Sequence, residues 1–144
     1  MKLRKKDPWK SASEYSKDLS GLTINLLVED IKRSIYFLQK IIKAKIIYQD
    51  PDFAAIEGFG SRWCIHSYHT YDNHLYINIV KSSKLKGLEI ELRVIGCDPD
   101  RAEERARKEN YTILSHPKVF FPWFKHVHGL ILLRDLILQS HPAP

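Results

Sequence analysis

The sequence predicts an α+β fold made of two β-α-β-β-β modules, chiefly because it contains an internal repeat. Residues 21–28 (GLTINLLV) and 87–94 (GLEIELRV) match at the Gly, both core Leu positions, the Ile and the Val. Each copy alternates apolar and variable residues, as a half-buried strand does, and a helical pattern and a further apolar run follow it. Two copies indicate a duplicated module, because a solenoid array needs at least three repeats.

The first module is predicted to span residues 21–80. Its first strand covers 21–29, and Asp30 is the N-cap of a helix over 31–43. Further strands are expected at 45–49, 53–56 and 62–68, with turns at residues 50–52 (DPD) and 58–60 (GFG). The buried stripe of the helix is predicted to comprise Ile31, Ile35, Leu38 and Ile42, widened by Phe37 and Ile41.

A linker at residues 81–86 is predicted to join this unit to the second module, residues 87–144. Its helix should begin at Asp98-Pro99, an N-cap followed by proline, and end near Asn110 in a left-handed conformation. The favourable pairs four residues apart in this helix are Glu103–Arg107 and Glu104–Lys108. A strand at 111–115 and one or two within 128–138 complete a degenerate copy.

Residues 1–20 are predicted to form a basic N-terminal arm, which holds six basic and three acidic residues of a chain with net charge +6. A short basic arm is usually a solvated terminus, and nucleic-acid binding would need a basic stripe on an ordered face, so that partner is not expected. Trp9 is expected to anchor the arm. Without a long apolar run or a signal peptide, neither a membrane span nor secretion is expected.

The two cysteines, Cys64 and Cys97, form no CxxC motif and are interpreted as reduced thiols of a cytoplasmic protein. A disulfide between them is the alternative that the sequence leaves open. Neither has a motif that marks a nucleophile, and the chain has no glycine-rich phosphate loop and no serine nucleophile elbow. Covalent catalysis therefore has no support.

Polar residues share the strand face that lies opposite the matched apolar positions, and this face is predicted to line a cavity. In the first strands of the two modules these residues include Thr23 and Asn25, then Glu89 and Glu91. On the last strand of the first module, alternation places His66 on one face with Cys64 and Tyr68. The predicted ligand-binding residues are Thr23, Asn25, His66, Tyr68, Glu89 and Glu91.

Five segments carry a resemblance to a known family: residues 26–37 (LLVEDIKRSIYF), 48–54 (YQDPDFA), the histidine-rich stretch 66–74, 96–100 (GCDPD) and 128–130 (HGL). Together they resemble the vicinal oxygen chelate superfamily, which includes glyoxalase I, extradiol dioxygenases and bleomycin-resistance proteins. The resemblance covers roughly residues 8–133. It implies a curved, barrel-like mixed sheet with helices on the outside, a small-molecule cavity between the modules, and a homodimer.

In metal-binding members of the superfamily, each module supplies one ligand from its first strand and one from its last. Thr23 takes the first such position and is not a credible ligand, whereas Glu89 and His66 are. Residues 134–138 replace the turn that accompanies the fourth ligand. The resemblance therefore implies either no cofactor, or a single divalent metal on His66 and Glu89 with His69 or His74 replacing a missing ligand.

The leading hypothesis is a glyoxalase-like or bleomycin-resistance-like protein that binds a small metabolite or drug in the cavity between the modules. His66 would be a donor or ligand, and Glu89 an acid/base or ligand, so these two are the catalytic candidates if the protein is an enzyme. Glu89 and Glu91 would either raise one pKa in a closed cavity or be neutralised by Arg93 on an open face.

Two other functions stay open: a divalent-metal-dependent lyase, isomerase or dioxygenase, and a nucleic-acid or protein adaptor that uses the basic arm. The pair His126 and His128 can share one strand face and is interpreted as a surface or cavity-mouth feature. Residues 119–124 (VFFPWF) are expected to be a lid or a dimer contact rather than a loop folded onto its own sheet.

Overall fold

The computed structural model describes residues 2–73, 94 and 96–113. Within them, the chain order alternates short helices and strands in the predicted manner. The elements are α1 (Ala12–Ser16), β1 (Asn25–Val28), α2 (Ile31–Lys40), β2 (Lys45–Gln49), β3 (Phe53–Gly58), β4 (Ser61–Ser67), a 3₁₀ helix (Tyr68–Tyr71) and α3 (Pro99–Lys108).

Strands β1 to β4 form one mixed sheet that is curved and does not close, with the spatial order β1-β4-β3-β2. β1 runs parallel to β4, and the β2–β3 and β3–β4 pairs are antiparallel. A parallel pair needs a crossover connection, and the segment from α2 through β2 and β3 joins β1 to β4. The described residues thus confirm the α+β class and one complete β-α-β-β-β module.

Helix α2 packs its apolar stripe on one face of the sheet. Asp30 caps its N-terminus, since the carboxylate accepts the backbone N–H of Arg33 at 3.1 Å. The helix ends at Lys40 rather than at the predicted residue 43, because Lys43 adopts a left-handed conformation with φ of 63°. All six predicted stripe residues are nevertheless buried: Ile31, Ile35, Phe37, Leu38, Ile41 and Ile42.

The first and last strands are shorter than predicted. β1 starts at Asn25, opposite Cys64 of β4, so the predicted start at residue 21 is wrong and Thr23 precedes the strand. β4 ends at Ser67, whose carbonyl oxygen accepts the Thr70 hydroxyl at 2.7 Å as the 3₁₀ helix begins. Tyr68 therefore lies in that helix, and the strand alternation that placed it beside His66 does not reach it.

Both predicted turns are present. In the β2–β3 turn, the Asp50 carboxylate accepts the backbone N–H groups of Asp52 and Phe53 at 2.7 and 2.8 Å. In the β3–β4 hairpin, Phe59 and Gly60 have φ of 53° and 74°, the left-handed pair of a two-residue turn that matches strand twist. Glycine tolerates that conformation freely, and Phe59 is held in it by packing against the core.

Helix α3 belongs to the second predicted module and matches its prediction closely. Asp98 caps it, Pro99 opens it, and Asn110 beyond its end has φ of 58°. The ion pairs Glu103–Arg107 and Glu104–Lys108 both form at 2.7 Å. Residues 111–113, the described part of the strand predicted at 111–115, are not in a strand.

Residues 2–20, the predicted arm, lie against the sheet face that points away from α2. Trp9 stacks on Tyr48 with ring centroids 5.0 Å apart, and Tyr15 meets Phe53 edge-on at 5.5 Å. The expected anchoring by Trp9 is therefore observed. The arm is not a fully solvated terminus, because it also contains the short helix α1, closed by a capping box between Ser11 and Glu14.

Several predicted features lie outside the described residues and stay predictions. They include the linker at 81–86, all but the last residue of the second repeat copy at 87–94, and everything after residue 113. The predicted residues concerned are His74, Glu89, Glu91, Arg93, His126, His128 and residues 119–124. In the part of the chain that the structure does describe, no helix is long and apolar enough to cross a membrane.

Candidate functional site

The sheet has one apolar face and one face of mixed character. The apolar face, under α2, carries Ala54, Ile56 and Ile65, all 0% exposed. The opposite face, termed here the open face, follows from strand alternation and register: Phe53 is paired with His66, and Cys64 is paired with Asn25. His66 and Cys64 therefore share a face as predicted, with Trp63 and Ile65 on the helix side.

A hydrogen bond between Asn25 and His66 is the centre of the open face. The Asn25 side-chain oxygen lies 2.8 Å from Nδ1 of His66. Because an amide oxygen only accepts, Nδ1 of the imidazole must carry the proton and donate it. In the neutral ring the other nitrogen, Nε2, then has a lone pair. Among the residues that the structure describes, nothing hydrogen-bonds to that nitrogen.

Burial keeps this imidazole neutral. Desolvation lowers the pKa of His66, and the opposing effect of the carboxylates of Asp50 and Asp52 does not overcome it. His66 is only half-buried and Asn25 is exposed, so the neutral ring remains reachable from solvent. A neutral imidazole with a fixed tautomer can accept a proton or a hydrogen bond, or bind a metal, through one defined atom.

Tyr71 joins Asn25 and His66 in a group termed here the polar cluster, and it is not among the predicted site residues. Its hydroxyl oxygen accepts the Asn25 side-chain N–H at 2.8 Å, and its ring meets the His66 ring edge-on at 5.6 Å. The Asn25 amide thus donates to Tyr71 and accepts from His66, so it joins the two side chains. The only available signal was the position of Tyr71 in the histidine-rich segment, one turn after the strand that carries His66.

A row of aromatic rings runs from the cluster across the open face to the arm. The Phe53 ring lies 4.8 Å from the His66 ring, and Tyr48 lies 6.3 Å from Phe53. The arm adds Tyr15 and Trp9 above these two rings. The β2–β3 half of the face is therefore covered by the chain itself, whereas the polar cluster lies on the β1–β4 half.

Asp52 clamps the arm to the sheet. Its carboxylate is 3% exposed and accepts the backbone N–H of Leu3 at 2.7 Å, that of Arg4 at 3.2 Å, and Nε2 of His69 at 2.7 Å. Burial alone raises the pKa of Asp52, but these hydrogen bonds outweigh it and hold the pKa below its ordinary value. The arm is thus fixed by a charge-assisted cluster.

His69 serves this clamp rather than a metal site. Its Nε2 contacts Asp52, and its Nδ1 lies 2.7 Å from the Ser67 hydroxyl, so both ring nitrogens are engaged inside the protein. The alternative in which His69 replaces a missing metal ligand is not compatible with this arrangement. The Ser67–His69–Asp52 series has the connectivity of a hydrolase triad, but Ser67 is only 4% exposed and offers no accessible nucleophile.

The other predicted site residues of the first module play smaller parts. Thr23 is exposed and donates its hydroxyl to the carbonyl oxygen of Arg62 at 2.9 Å. Cys64 lies under the arm, where burial raises the pKa of its thiol to about 11. Cys64 and Cys97 are both free thiols, as expected.

The described residues do not by themselves hold a metal. Within residues 2–73, 94 and 96–113 no three His, Cys, Asp or Glu side chains converge on one point. His66 offers one nitrogen, which is fewer than the roughly three protein ligands that a catalytic zinc needs. Glu89, the second predicted ligand, lies outside the described residues.

A separate depression of about 670 Å³ lies at the β3–β4 hairpin end of the sheet, lined partly by the end of the arm. Several of its charges are already paired, since the Glu57 carboxylate accepts a hydrogen bond from Arg62 at 2.7 Å and forms an ion pair with Lys45 at 3.7 Å. None of the predicted site residues lines it. The polar cluster around His66 is the better candidate site.

Comparison with known proteins finds similarity only among solved structures: no family model matches the chain, and no curated protein sequence matches it. A glyoxalase/bleomycin resistance protein/dioxygenase from Nocardioides has 18% identity, covers 77% of this chain and 78% of its own, and gives a TM-score of 0.44. A protein from the mobile metagenome of V. Pseudocholerae has 18% identity, coverages of 69% and 74%, and a TM-score of 0.42.

The genomically encoded fosfomycin resistance protein FosX from Listeria monocytogenes has 20% identity, covers 76% of this chain and 87% of its own, and gives a TM-score of 0.41. These values are low, and the fold assignment depends on the order and pairing of this chain's own strands. Residues 25–67 form the βαβββ module, with the mixed sheet and outer helix, that the resemblance to the vicinal oxygen chelate superfamily predicted.

Proposed function

We propose that this protein binds a small uncharged molecule that donates an N–H or O–H group to Nε2 of His66. The observation that carries the proposal is the neutral imidazole with a defined tautomer: the Asn25 side-chain oxygen accepts the Nδ1–H hydrogen bond, and burial lowers the pKa of His66. A polar atom with a defined role on a half-open face is a recognition feature of small-molecule sites. This fits a glyoxalase-like or resistance-type binding protein.

Charge favours an uncharged ligand over an anion. The carboxylates of Asp50 and Asp52 are the charges that act on His66, and both are negative. A negatively charged ligand would find no proton on Nε2, and the Arg4 guanidinium is already paired with Asp50. The rings of Phe53 and Tyr71 flank the imidazole at 4.8 and 5.6 Å, which suits a flat ligand.

The proposal also includes the second module, the oligomeric state and the location that the sequence predicts. Glu89 and Glu91 would line the same cavity from the second module, and the molecule would act as a homodimer in the cytoplasm. In this arrangement Thr23 and Tyr68 contribute at the edges of the site, and Asn25, His66 and Tyr71 form its floor.

Titration with phenol, a flat O–H donor, tests the proposal. We expect phenol to shift the NMR signals of the His66 ring and the Asn25 side-chain amide with saturating behaviour. His66→Phe keeps an aromatic ring against Phe53 but removes Nε2, and should abolish saturation. Tyr36→Phe removes a hydroxyl on the exposed side of α2 and should change nothing. Phenol binding that survives His66→Phe would overturn the proposal.

Asn25→Asp tests the tautomer. A carboxylate beside Nδ1 stabilises the imidazolium, so the pKa of His66 should rise and Nε2 should become protonated at neutral pH. Phenol affinity should then fall at pH 7 and recover as the pH is raised. Asn25→Asp with unchanged affinity at both pH values would mean that Nε2 is not the acceptor.

The metal-dependent alternative is favoured by the same histidine. A ligating His commonly donates its second ring nitrogen to an oxygen acceptor, and the Nδ1–Asn25 contact has that form. If His66 and Glu89 share a divalent metal, purified protein should contain it stoichiometrically, and both His66→Phe and Glu89→Gln should lose it. If the purified protein contains no metal and still binds phenol with unchanged affinity, the metal-dependent alternative is wrong and the binding function stands.

The adaptor alternative finds less support in the arm. Arg4 lies 3.6 Å from the Asp50 carboxylate, and Lys10 pairs with Asp18 while it packs over the Trp9 ring. Part of the basic charge is therefore neutralised within the molecule. Strong salt dependence of DNA binding would be needed to revive this function.

A further inference from the structure

We propose that the N-terminal arm is a wall of the ligand site and that Tyr15 determines how large a ligand can lie against His66. The inference rests on the proposed binding function and adds a specificity-determining residue to it. Tyr15 lies ten residues before Asn25 and outside both predicted modules. Three features of the described residues support it: fixed ends of the arm, the position of Tyr15, and the covered strand surface.

The arm is held at both ends, so it can act as a wall and not as a loose tail. At its start, Asp52 accepts the backbone N–H groups of Leu3 and Arg4, and the Arg4 side chain reaches Asp50. At its other end, Arg62 donates to the carbonyl oxygen of Asp18 at 3.3 Å. The hydrogen bonds at Leu3, Arg4 and Asp18 use backbone atoms of the arm, so a side-chain change at Tyr15 need not release it.

Tyr15 lies between these two ends, directly on the open face. Its hydroxyl donates to the carbonyl oxygen of Trp63 at 3.2 Å, and its ring meets Phe53 edge-on at 5.5 Å. Burial raises the pKa of Tyr15 to about 12, so the hydroxyl stays protonated and remains a donor. Phe53 is in turn 4.8 Å from the His66 ring. Tyr15 is therefore one ring removed from the proposed hydrogen-bond acceptor.

The strand surface beside Tyr15 shows how completely the arm closes this side. Ala55 is 0% and Cys64 is 8% exposed, although neither belongs to the core under α2. Asn25, which pairs with Cys64 on the next strand, is exposed. The boundary between covered and open surface therefore runs between β4 and β1, beside His66. A ligand on His66 can extend toward β1 but meets the arm toward β3.

The test compares the affinities of phenol and 1-naphthol, which share one O–H donor and differ by a fused ring. In the unmodified protein the larger probe should bind His66 more weakly. Tyr15→Ala opens the wall and should reduce the ratio of the 1-naphthol Kd to the phenol Kd by about tenfold, the effect of roughly one aromatic contact. Tyr15→Phe keeps the ring and should leave the ratio unchanged.

Tyr15→Trp provides a change of opposite sign, since a larger ring should narrow the site and increase the same ratio. The decrease of the ratio in Tyr15→Ala and its increase in Tyr15→Trp must both be measured from the NMR signals of the His66 ring. If phenol binds but the ratio is the same in the unmodified protein and the three Tyr15 variants, the proposal that Tyr15 limits ligand size is wrong and the binding function stands. If neither probe binds at His66 in any of them, both proposals fail.

Discussion

The two faces of the first-module sheet are closed by different physical means. Under α2, closure is mainly apolar: Val28, Ile56 and Ile65 are 0% exposed and pack with the helix stripe. On the open face, closure is partial and depends on a few directed contacts, chiefly the buried Asp52 carboxylate and the ring of Tyr15. The same four strands thus carry a core on one side and a candidate site on the other.

The difference between the two faces indicates which of them can determine ligand specificity. Apolar packing is non-directional and tolerates substitution by side chains of similar volume. The helix side therefore stabilises the fold without contributing to ligand specificity. A buried carboxylate, a fixed imidazole tautomer and an oriented amide each require one arrangement of donors and acceptors. The open face therefore holds the recognition chemistry, and it should be the less stable side.

Truncating matched phenylalanines on the two faces should give the largest contrast. Phe37 on α2 is 1% exposed and meets Tyr111 at 5.2 Å, so Phe37→Ala should cost about 3–5 kcal/mol of unfolding free energy. Phe53 on the open face is half-buried, and Phe53→Ala should cost about 1–2 kcal/mol by partial burial. Urea unfolding measures both, and equal costs would remove the contrast.

Breaking the arm clamp should have the next largest effect. Asp52→Asn replaces one carboxylate oxygen with an NH2 group that faces the backbone N–H of Leu3 or Arg4, and should cost about 1–3 kcal/mol. It should also release the arm, so that trypsin cleaves sooner at Arg4 and at nearby lysines. Asp7→Asn, an exposed carboxyl in the same arm, is the control and should leave stability and cleavage unchanged.

The clamp should also depend on pH in a defined direction. The pKa of Asp52 is lowered from 3.8 in the folded protein, so its contribution is complete above that value. As the pH falls below it, the unfolded chain takes up the proton first and the contribution shrinks, until it is lost below the folded pKa. The stability difference between wild type and Asp52→Asn should accordingly narrow as the pH falls below 3.8, and acid titration of urea unfolding for the two proteins measures it.

Thiol labelling should show the smallest effect, a change in rate with little change in stability. Cys64 lies beneath the arm and Cys97 packs on the helix side, so a disulfide-exchange reagent should modify Cys97 first. Tyr15→Ala should accelerate labelling of Cys64 several-fold and leave Cys97 unaffected. Acceleration at both sites would indicate general loosening of the fold rather than opening of one face.

The sequence was sufficient for the elements whose signals are local. Asp30 and Asp98 cap helices as predicted, Asn110 is left-handed, and both predicted turns form, because caps and turns depend on a few neighbouring residues. The ends of the strands were predicted less accurately, because pairing with a neighbouring strand decides them. β1 begins at Asn25, where β4 provides the first partner residue.

The candidate site was predicted in part. Strand alternation placed His66 on the open face beside Cys64, and the polar first-strand position gave Asn25. Tyr71, Asp52 and Tyr15 were not recognised, because their roles need contacts across 46, 49 and 48 residues of chain with Asn25, Leu3 and Trp63. No periodicity in a sequence encodes such contacts.

By itself, the sequence determined the β-α-β-β-β order, the apolar stripe of α2 and which strand residues share a face, since alternation and helical spacing are properties of the local backbone. Only the tertiary structure decided that the arm lies across the open face and that Asn25 fixes the tautomer of His66. Those outcomes depend on hydrogen bonds and ring contacts between distant segments, and such partners are chosen when the chain folds in three dimensions.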